Sequence, residues 1–286
     1  MSLIADLENQ LQDILTLKYI TNTFTEINSI KAKNIRANFE KNTVFFREIG
    51  EVYHLVKEIA VNKGALPKTV LFEQDVAGRG GGGTVAIAIT SNMRFYGKLN
   101  INVMKKFEAD AGINKNRDII VIGATGAEYL SGHPLEKKTM KVAFRKDFPT
   151  PEEVSALIEQ TKKYRRVYLY YPEFLTMVSQ RVGVSDITQT PTEIPADIGK
   201  IEYIFEPELV KILEFFEMHV RTLLFNRVLL EAELSRTAAR LITMSTANDR
   251  ADVICQSTRT QLSKERKSFT NAQLLETFAG MGRWEV

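Results

Sequence analysis

Four consecutive glycines, Gly80 to Gly83 in VLFEQDVAGRGGGGTVAIAIT (70–90), are the first residues whose spacing suggests nucleotide chemistry. A phosphate loop leaves the end of a strand and enters a helix whose first amides and dipole face the anion. Here the order is reversed: the glycines precede TVAIAIT, a β-branched apolar run that reads as a buried strand, and no Gly-Lys-Ser/Thr follows. They read as a flexible entry loop. A second candidate is IIVIGATGAEYL (119–130), where a strand, Gly123, Gly126 and a possible helix have the outline of a dinucleotide-binding turn. The third glycine is missing, Glu128 stands near where backbone should approach a pyrophosphate, and no acidic residue ends the next strand. This segment reads as a tight turn in an α/β domain.

Other chemistry is no better supplied. No Ser, His and Asp cluster in a nucleophile-elbow context, and Glu152-Glu153 reads as first-turn complementation of a helix dipole. His54, His133 and His219 lie far apart without a Cys or His at ligand spacing, so no zinc site is expected. The single Cys255 excludes an internal disulfide framework and reads as a small buried or seam residue. The expectation is no catalytic centre, no metal and no cofactor. The run SKERK (263–267) reads either as a solvated helix face or as a docking surface.

The 286 residues are enough for one large domain or two ordinary ones, and a net charge of +3 provides no bulk field for nucleic acid. No stretch reaches about 18 uninterrupted apolar residues, and MSLIADLENQLQ carries acids where a signal peptide carries positive charge. Neither export nor membrane insertion is expected.

The elements that must position any functional surface are dominated by two helices. From Leu3 to about Lys63 there is no proline and one glycine, Gly50, with apolar residues at Ile4, Leu7, Leu11, Ile14, Leu17, Ile20, Phe24, Ile27 and Ile30. A helix that long spans about 80–90 Å and needs a partner along its length. The partner is Glu206 to Gly280, with Pro207 at the helix start. Along it Leu230, Leu234, Ala238, Leu241, Met244 or Ser245, Asn248, Ala251, Cys255 and Leu262 recur close to every 3.5 residues, a coiled-coil seam in which Asn248 can fix register. Alanines 238, 239, 247 and 251 would let the backbones approach. Between the helices, TVAIAIT, RDIIVIGAT, MKVAF, RRVYLYY and IEYIFEP read as strands, and NINVMKKFEAD and TPEEVSALIEQTKKY as helices, the latter opened by a Thr150–Glu153 capping box with Pro151 at its first position. The fold class is α/β: a long antiparallel coiled coil of N- and C-terminal helices with an inserted small α/β domain, divided 1–63, 64–205 and 206–286.

That organisation resembles the gamma subunit, the central rotor shaft, of F-type ATP synthases. LLEAELSRTAARLITMSTANDRADVI (229–254) is similar to the family's C-terminal signature at Leu230, Glu231, Ala232, Ser235, Ala238, Ala239, Arg240, Met244, Ala247 and Ala251. The register continues through Lys264 and Arg266 to Glu276 and Gly280. KYITNTFTEINSIKAK (18–33) resembles the N-terminal helix motif at Ile20, Thr21 and Lys31, and AIAITSNMRFYGKLN (86–100) the strand and turn that follow, at Thr90, Ser91, Gly97 and Asn100. The turn in IIVIGATG falls where the family has a similar Gly-x-x-Gly, and the insert is then expected to be Rossmann-like. Departures are Glu8, Gln10, Gln12 and Asp13 on a helix that is usually basic, Tyr19 in place of a frequent lysine, and Lys267, Asn271 and Gln273 where the family usually has Gln, Thr and Glu. The ending GMGRWEV also replaces a small apolar tail.

The resemblance implies a mechanical subunit, non-catalytic by itself, that stands in a ring of alpha and beta subunits and couples ATP hydrolysis or synthesis there to rotation. It implies ring contacts at Ile20, Thr21, Lys31, Lys264, Arg266, Lys267, Asn271 and Gln273. It further implies an epsilon-like subunit, a membrane rotor ring in a true synthase, and a cytoplasmic site on the inner face of a bacterial membrane. The departures raise an alternative, a divergent rotor of an F-type-like ATPase that drives bacterial gliding motility.

Overall fold

Strands that are apolar on both faces hold together only where both faces are covered, the usual condition of parallel sheets. The computed structural model, which describes residues 2–62, 83–113, 117–188, 206 and 209–281, meets that condition. Strands β1 (Gly83–Ile89), β2 (Arg117–Ile122), β3 (Thr139–Val142), β4 (Tyr164–Phe174) and β5 (Gln180–Asp186) form one sheet in the order β3-β2-β1-β4-β5. β1 runs parallel to β2 and β4, and β2 parallel to β3, while β5 returns antiparallel to β4. The helices are α1 (Ser2–Asn62), α2 (Leu99–Ile113), the short α3 (Ala124–Tyr129), α4 (Pro151–Thr161) and α5 (Leu209–Met281). The α/β class with very long terminal helices is as expected. The strand IEYIFEP apart from Glu206, the helix start at Pro207, and Gly80 to Gly82 lie outside the described residues; Gly83 is the first residue of β1.

The chain divides into two compact units, residues 1–30 with 240–286, and residues 31–239. In the second, alternation along each strand sends side chains to two cores. Val85, Ile87 and Ile89 of β1, Ile120 and Ile122 of β2, and Val167 and Leu169 of β4 bury against Tyr53, Val56 and Ala60 of α1, α4, and Val220 to Ala232 of α5. Ala86, Ala88, Ile119, Val121 and Tyr170 bury on the opposite face against Val103, Met104 and Phe107 of α2. α4 starts as its sequence dictates: Thr150 accepts from the Glu153 amide and the Glu153 carboxylate accepts from the Thr150 amide. β5 was not anticipated. It carries Gly183, and a Cβ there would sit 2.9 Å from the ring of its cross-strand neighbour Tyr171, so the glycine that weakens the strand signal makes room for the aromatic.

The first unit is an antiparallel helix pair. Glu8 meets Arg266, and Lys18 meets Asp252, at 2.5 Å in each case. On α5, Met244, Ala251, Cys255, Thr258 and Leu262 are buried, and Asn248 is half-buried with its Oδ1 enclosed. On α1 the seam differs from the expected stripe. It runs through Leu7, Leu11, Ile14, Lys18, Thr21, Thr25 and Asn28 in alternating steps of four and three, while Leu17, Ile20, Phe24, Ile27 and Ile30 are exposed. The alternating steps average the 3.5 residues that keep one face toward a partner, and Ile14, Leu17 and Ile20, three apart, walk off that face.

One buried carboxyl makes the packing of α5 on the sheet sensitive to pH. Glu231 is buried beside Tyr171, and that burial pushes its carboxyl above the ordinary carboxylate value, with Arg227 opposing the shift. A raised folded-state pKa means that the contribution to stability is complete below 4.5 and is lost as pH rises through the folded value. Glu231→Gln stays neutral throughout. Its stability relative to the unmodified chain should therefore grow as pH is raised from about 4.5 toward 8 in urea titrations, and a gap independent of pH would contradict the assignment.

Candidate functional site

The turn at Gly123 to Gly126, whose outline suggested a dinucleotide, is occupied by the chain's own groups. Gly123 has φ +99, and a Cβ on it or on Gly126 would lie within 2.8 Å of Thr90. The Gly126 amide donates to Thr90 Oγ1 at 3.0 Å, the Thr125 amide to the Ser91 carbonyl at 3.0 Å, and the Ala124 amide to Asn92 Oδ1 at 3.0 Å. Those are the first-turn amides of α3, the groups that a pyrophosphate would need. Thr90 also joins β2, donating through both its amide and its hydroxyl to the Ile122 carbonyl. The Gly123 amide reaches the Val142 carbonyl at the end of β3, at 3.0 Å. Asp147, beyond β3, accepts from the amides of Asn92 and Met93 and from the Tyr96 hydroxyl. The ends of β1, β2 and β3 are thereby laced into one polar node. Among the described residues no three His, Cys, Asp or Glu side chains gather as a metal site, and no helix is long and apolar enough to cross a membrane.

What the helix pair exposes is apolar. Leu17, Tyr19, Ile20, Phe24, Ile27 and Ile30 make an apolar strip on α1, with Tyr19 75% and Ile30 66% exposed. A lone exposed apolar residue is ordinary, but a continuous row on one helix face marks a contact surface. On α5, every described residue from Arg266 to Met281 is exposed, including Phe269, Leu274, Leu275, Phe278 and Met281. Glu8, near the start of α1, faces Arg266 of α5 in the antiparallel pair.

The residues expected to contact partners divide between these surfaces and the chain's own packing. Ile20 lies on the exposed strip, and Lys264, Lys267, Asn271 and Gln273 are exposed on α5. Arg266 is exposed and paired with Glu8. Thr21 is buried in the seam, its hydroxyl donating to the Lys18 carbonyl at 2.9 Å. Lys31, in the other unit, reaches Glu233 of α5 at 2.7 Å. Cys255 is buried in the seam. In the sequence Leu17, Ile20, Phe24, Ile27 and Ile30 read as one apolar stripe with Leu7, Leu11 and Ile14, whereas the structure divides that stripe between the seam and the exposed strip. The signal that separates the two faces is the strict 3.5-residue repeat of small and polar residues beside it.

Comparison with known proteins agrees with this geometry. A family model described as ATP synthase matches residues 4–282. The ATP synthase gamma chain of Desulforamulus reducens is 22% identical over 295 residues, with 100% of both chains covered. That of Desulfitobacterium hafniense is 24% identical over the same length, again with 100% of both covered. Among solved structures, a chain of the rotor of Euglena gracilis mitochondrial ATP synthase superposes with a TM-score of 0.61 at 15% identity, over 94% of this chain and 99% of that one. A chain from the central stalk and c-ring of the Tetrahymena thermophila enzyme gives 0.55 at 19% identity, over 80% and 99%. These likenesses show the fold.

The two faces of the pair predict opposite responses to substitution. Ala251→Leu places three extra carbons in the seam and should destabilise the chain by about 1–3 kcal/mol in chemical denaturation. Phe24→Ser, on the exposed strip, should stay within about 0.5 kcal/mol of the unmodified chain. The reverse ranking would mean that the seam has been placed on the wrong side of α1.

Proposed function

The chain belongs to the gamma-chain family of ATP synthases, and from that premise we propose that it is the central rotor shaft of a rotary ATPase, coupling ATP hydrolysis or synthesis on a ring of alpha and beta subunits to rotation. The ATP chemistry resides on other subunits of that complex, and the chain itself is non-catalytic. The observation that carries the reading is the division of labour in the helix pair: an inner 3.5-residue seam binds helix to helix, and an outer apolar strip and the exposed apolar residues between Phe269 and Met281 of α5 are left for a surrounding partner. A shaft must satisfy both demands at once. It has to resist being pulled apart, and its outer contacts have to be weak enough to break and reform in each new orientation.

Ile20, Lys264, Arg266, Lys267, Asn271 and Gln273 are proposed as ring-facing positions, with Thr21 and Lys31 serving through the contacts that hold the helices in place. Lys264, Arg266 and Lys267 supply donors for carboxylates on a beta subunit, and charge-assisted hydrogen bonds of this kind are strong and direction-dependent. An epsilon-like subunit and a membrane rotor ring complete the proposed partners, with the assembly on the cytoplasmic face of a bacterial membrane. A rotor for gliding motility is not favoured, because the full-length relatives carry the name ATP synthase gamma chain.

The test is assembly with alpha and beta subunits followed by measurement of ATP-driven rotation. A chain that neither assembles nor turns overturns the reading. Arg266→Ala should lower torque per ATP hydrolysed severalfold, while stability shifts by no more than about 1 kcal/mol, since the Glu8 pair that it loses is solvent-exposed. Unchanged torque and turnover would remove Arg266 from the ring-facing set.

A further inference from the structure

Arg236 of α5 is 2% exposed and is the bulkiest of the fully buried side chains among the described residues. Its guanidinium reaches two carbonyls that are remote in sequence. Nη1 donates to Thr90, at the end of β1, at 3.4 Å, and Nη2 to Asp147, beyond β3, at 3.0 Å. Both carbonyls belong to the polar node that laces the three strand ends together. α5 is small at this contact, with Ala232, Ser235 and Ala239 buried beside it, so the helix backbone lies close to the domain.

The chemistry of the side chain is what makes this placement informative. A guanidinium is planar, permanently charged, and carries donors pointing in several fixed directions, so one Arg can hold two separate segments at once; a lysine offers a single point charge. Burying such a group is costly, and an apolar side chain of similar volume would fill the same space without that cost. Apolar packing, for its part, is non-directional: it resists separation better than it resists sliding. Hydrogen bonds to fixed carbonyls have distance and angle requirements and oppose shear.

We propose that Arg236 is a positioning residue of the rotary machine, a key that locks α5 to the ends of β1 and β3 so that torque borne by the helix is delivered to the α/β domain without slip. The inference rests on the rotor reading. It adds a specific path by which force leaves the shaft. It also accounts for the close approach at Gly123 and Gly126: the node must be tight for its carbonyls to be rigid anchors.

The experiment compares assembled complexes carrying Arg236, R236M or R236K. Three quantities are read: ATP hydrolysis, rotation against a graded viscous load, and amide hydrogen exchange at 90–92 and 123–126. With R236M, hydrolysis should stay within about twofold and unloaded rotation should persist, torque under high load should fall severalfold, and exchange at the strand ends should accelerate about tenfold or more. R236K should resemble R236M. Full loaded torque in R236M overturns the proposal; if R236M does not fold, full loaded torque in R236K does so instead. General loss of exchange protection across β1, β2 and β4 at unchanged torque assigns Arg236 to fold stability alone and likewise overturns it. Failure of the unsubstituted complex to rotate would instead strike the rotor reading.

Discussion

Two helices of 61 and 73 residues set the problem that the rest of the chain solves. Secondary-structure propensity cannot hold such helices in water, so each must bury a stripe along its length. In residues 31–239 that burial is against the sheet, through Tyr53, Val56 and Ala60 of α1 and Val220 to Ala232 of α5. In residues 1–30 and 240–286 it is helix against helix. The second arrangement has less apolar material to work with: Thr21, Asn28 and Thr258 stand in the seam among Leu7, Ala251, Cys255 and Leu262. Small and polar seam residues permit close approach and fix register, and they contribute less burial free energy than leucine would.

The same constraint explains what lies outside. Apolar residues that do not enter the seam remain on the surface, and on α1 those from Leu17 to Ile30 form a strip. For an isolated chain this is a liability. In the proposed shaft it would serve as a bearing surface, its energy realised on assembly and spread over several modest contacts. The cross-helix ion pairs at Lys18–Asp252 and Glu8–Arg266 suit the same purpose, being exposed, individually weak and easily exchanged for contacts with a partner.

Much of the architecture was legible because the relevant signals are local. The capping box at Thr150 and Glu153, the doubly apolar runs of β1 and β2, and the absence of proline from both long helices each have one structural reading. What escaped was whatever depends on a partner segment. The α1 seam could not be told from the exposed strip by hydrophobicity, because Ile20, Phe24 and Ile27 are more apolar than Thr21, Thr25 and Asn28; only the repeat length distinguishes them. β5 was missed because Gly183 breaks the strand pattern, and the reason for that glycine, the ring of Tyr171, is a cross-strand fact. Arg236 looks like an ordinary surface cation in an amphipathic helix until the sheet edge beneath it is known.

The glycine turn shows how a motif outline and its chemistry can part company. In a dinucleotide-binding turn the glycines admit a pyrophosphate to backbone amides. Here they admit Thr90, whose hydroxyl accepts from the Gly126 amide while donating to the Ile122 carbonyl. Ser91 and Asn92 take the neighbouring amides, so a hydroxyl, a carbonyl and a side-chain amide stand where phosphate oxygens would be. The cleft beyond the carboxyl ends of the strands, where α/β domains of this type usually receive ligands, is thus given over to internal bracing. Its outer wall is a helix carrying a buried guanidinium fixed to two of the same segments. A region evolved for binding a cofactor needs unsatisfied donors and some freedom to close around the guest. A region that transmits force needs the opposite, with its backbone donors already committed, as the amides of Thr90, Gly123, Ala124, Thr125 and Gly126 are at the strand ends of this sheet.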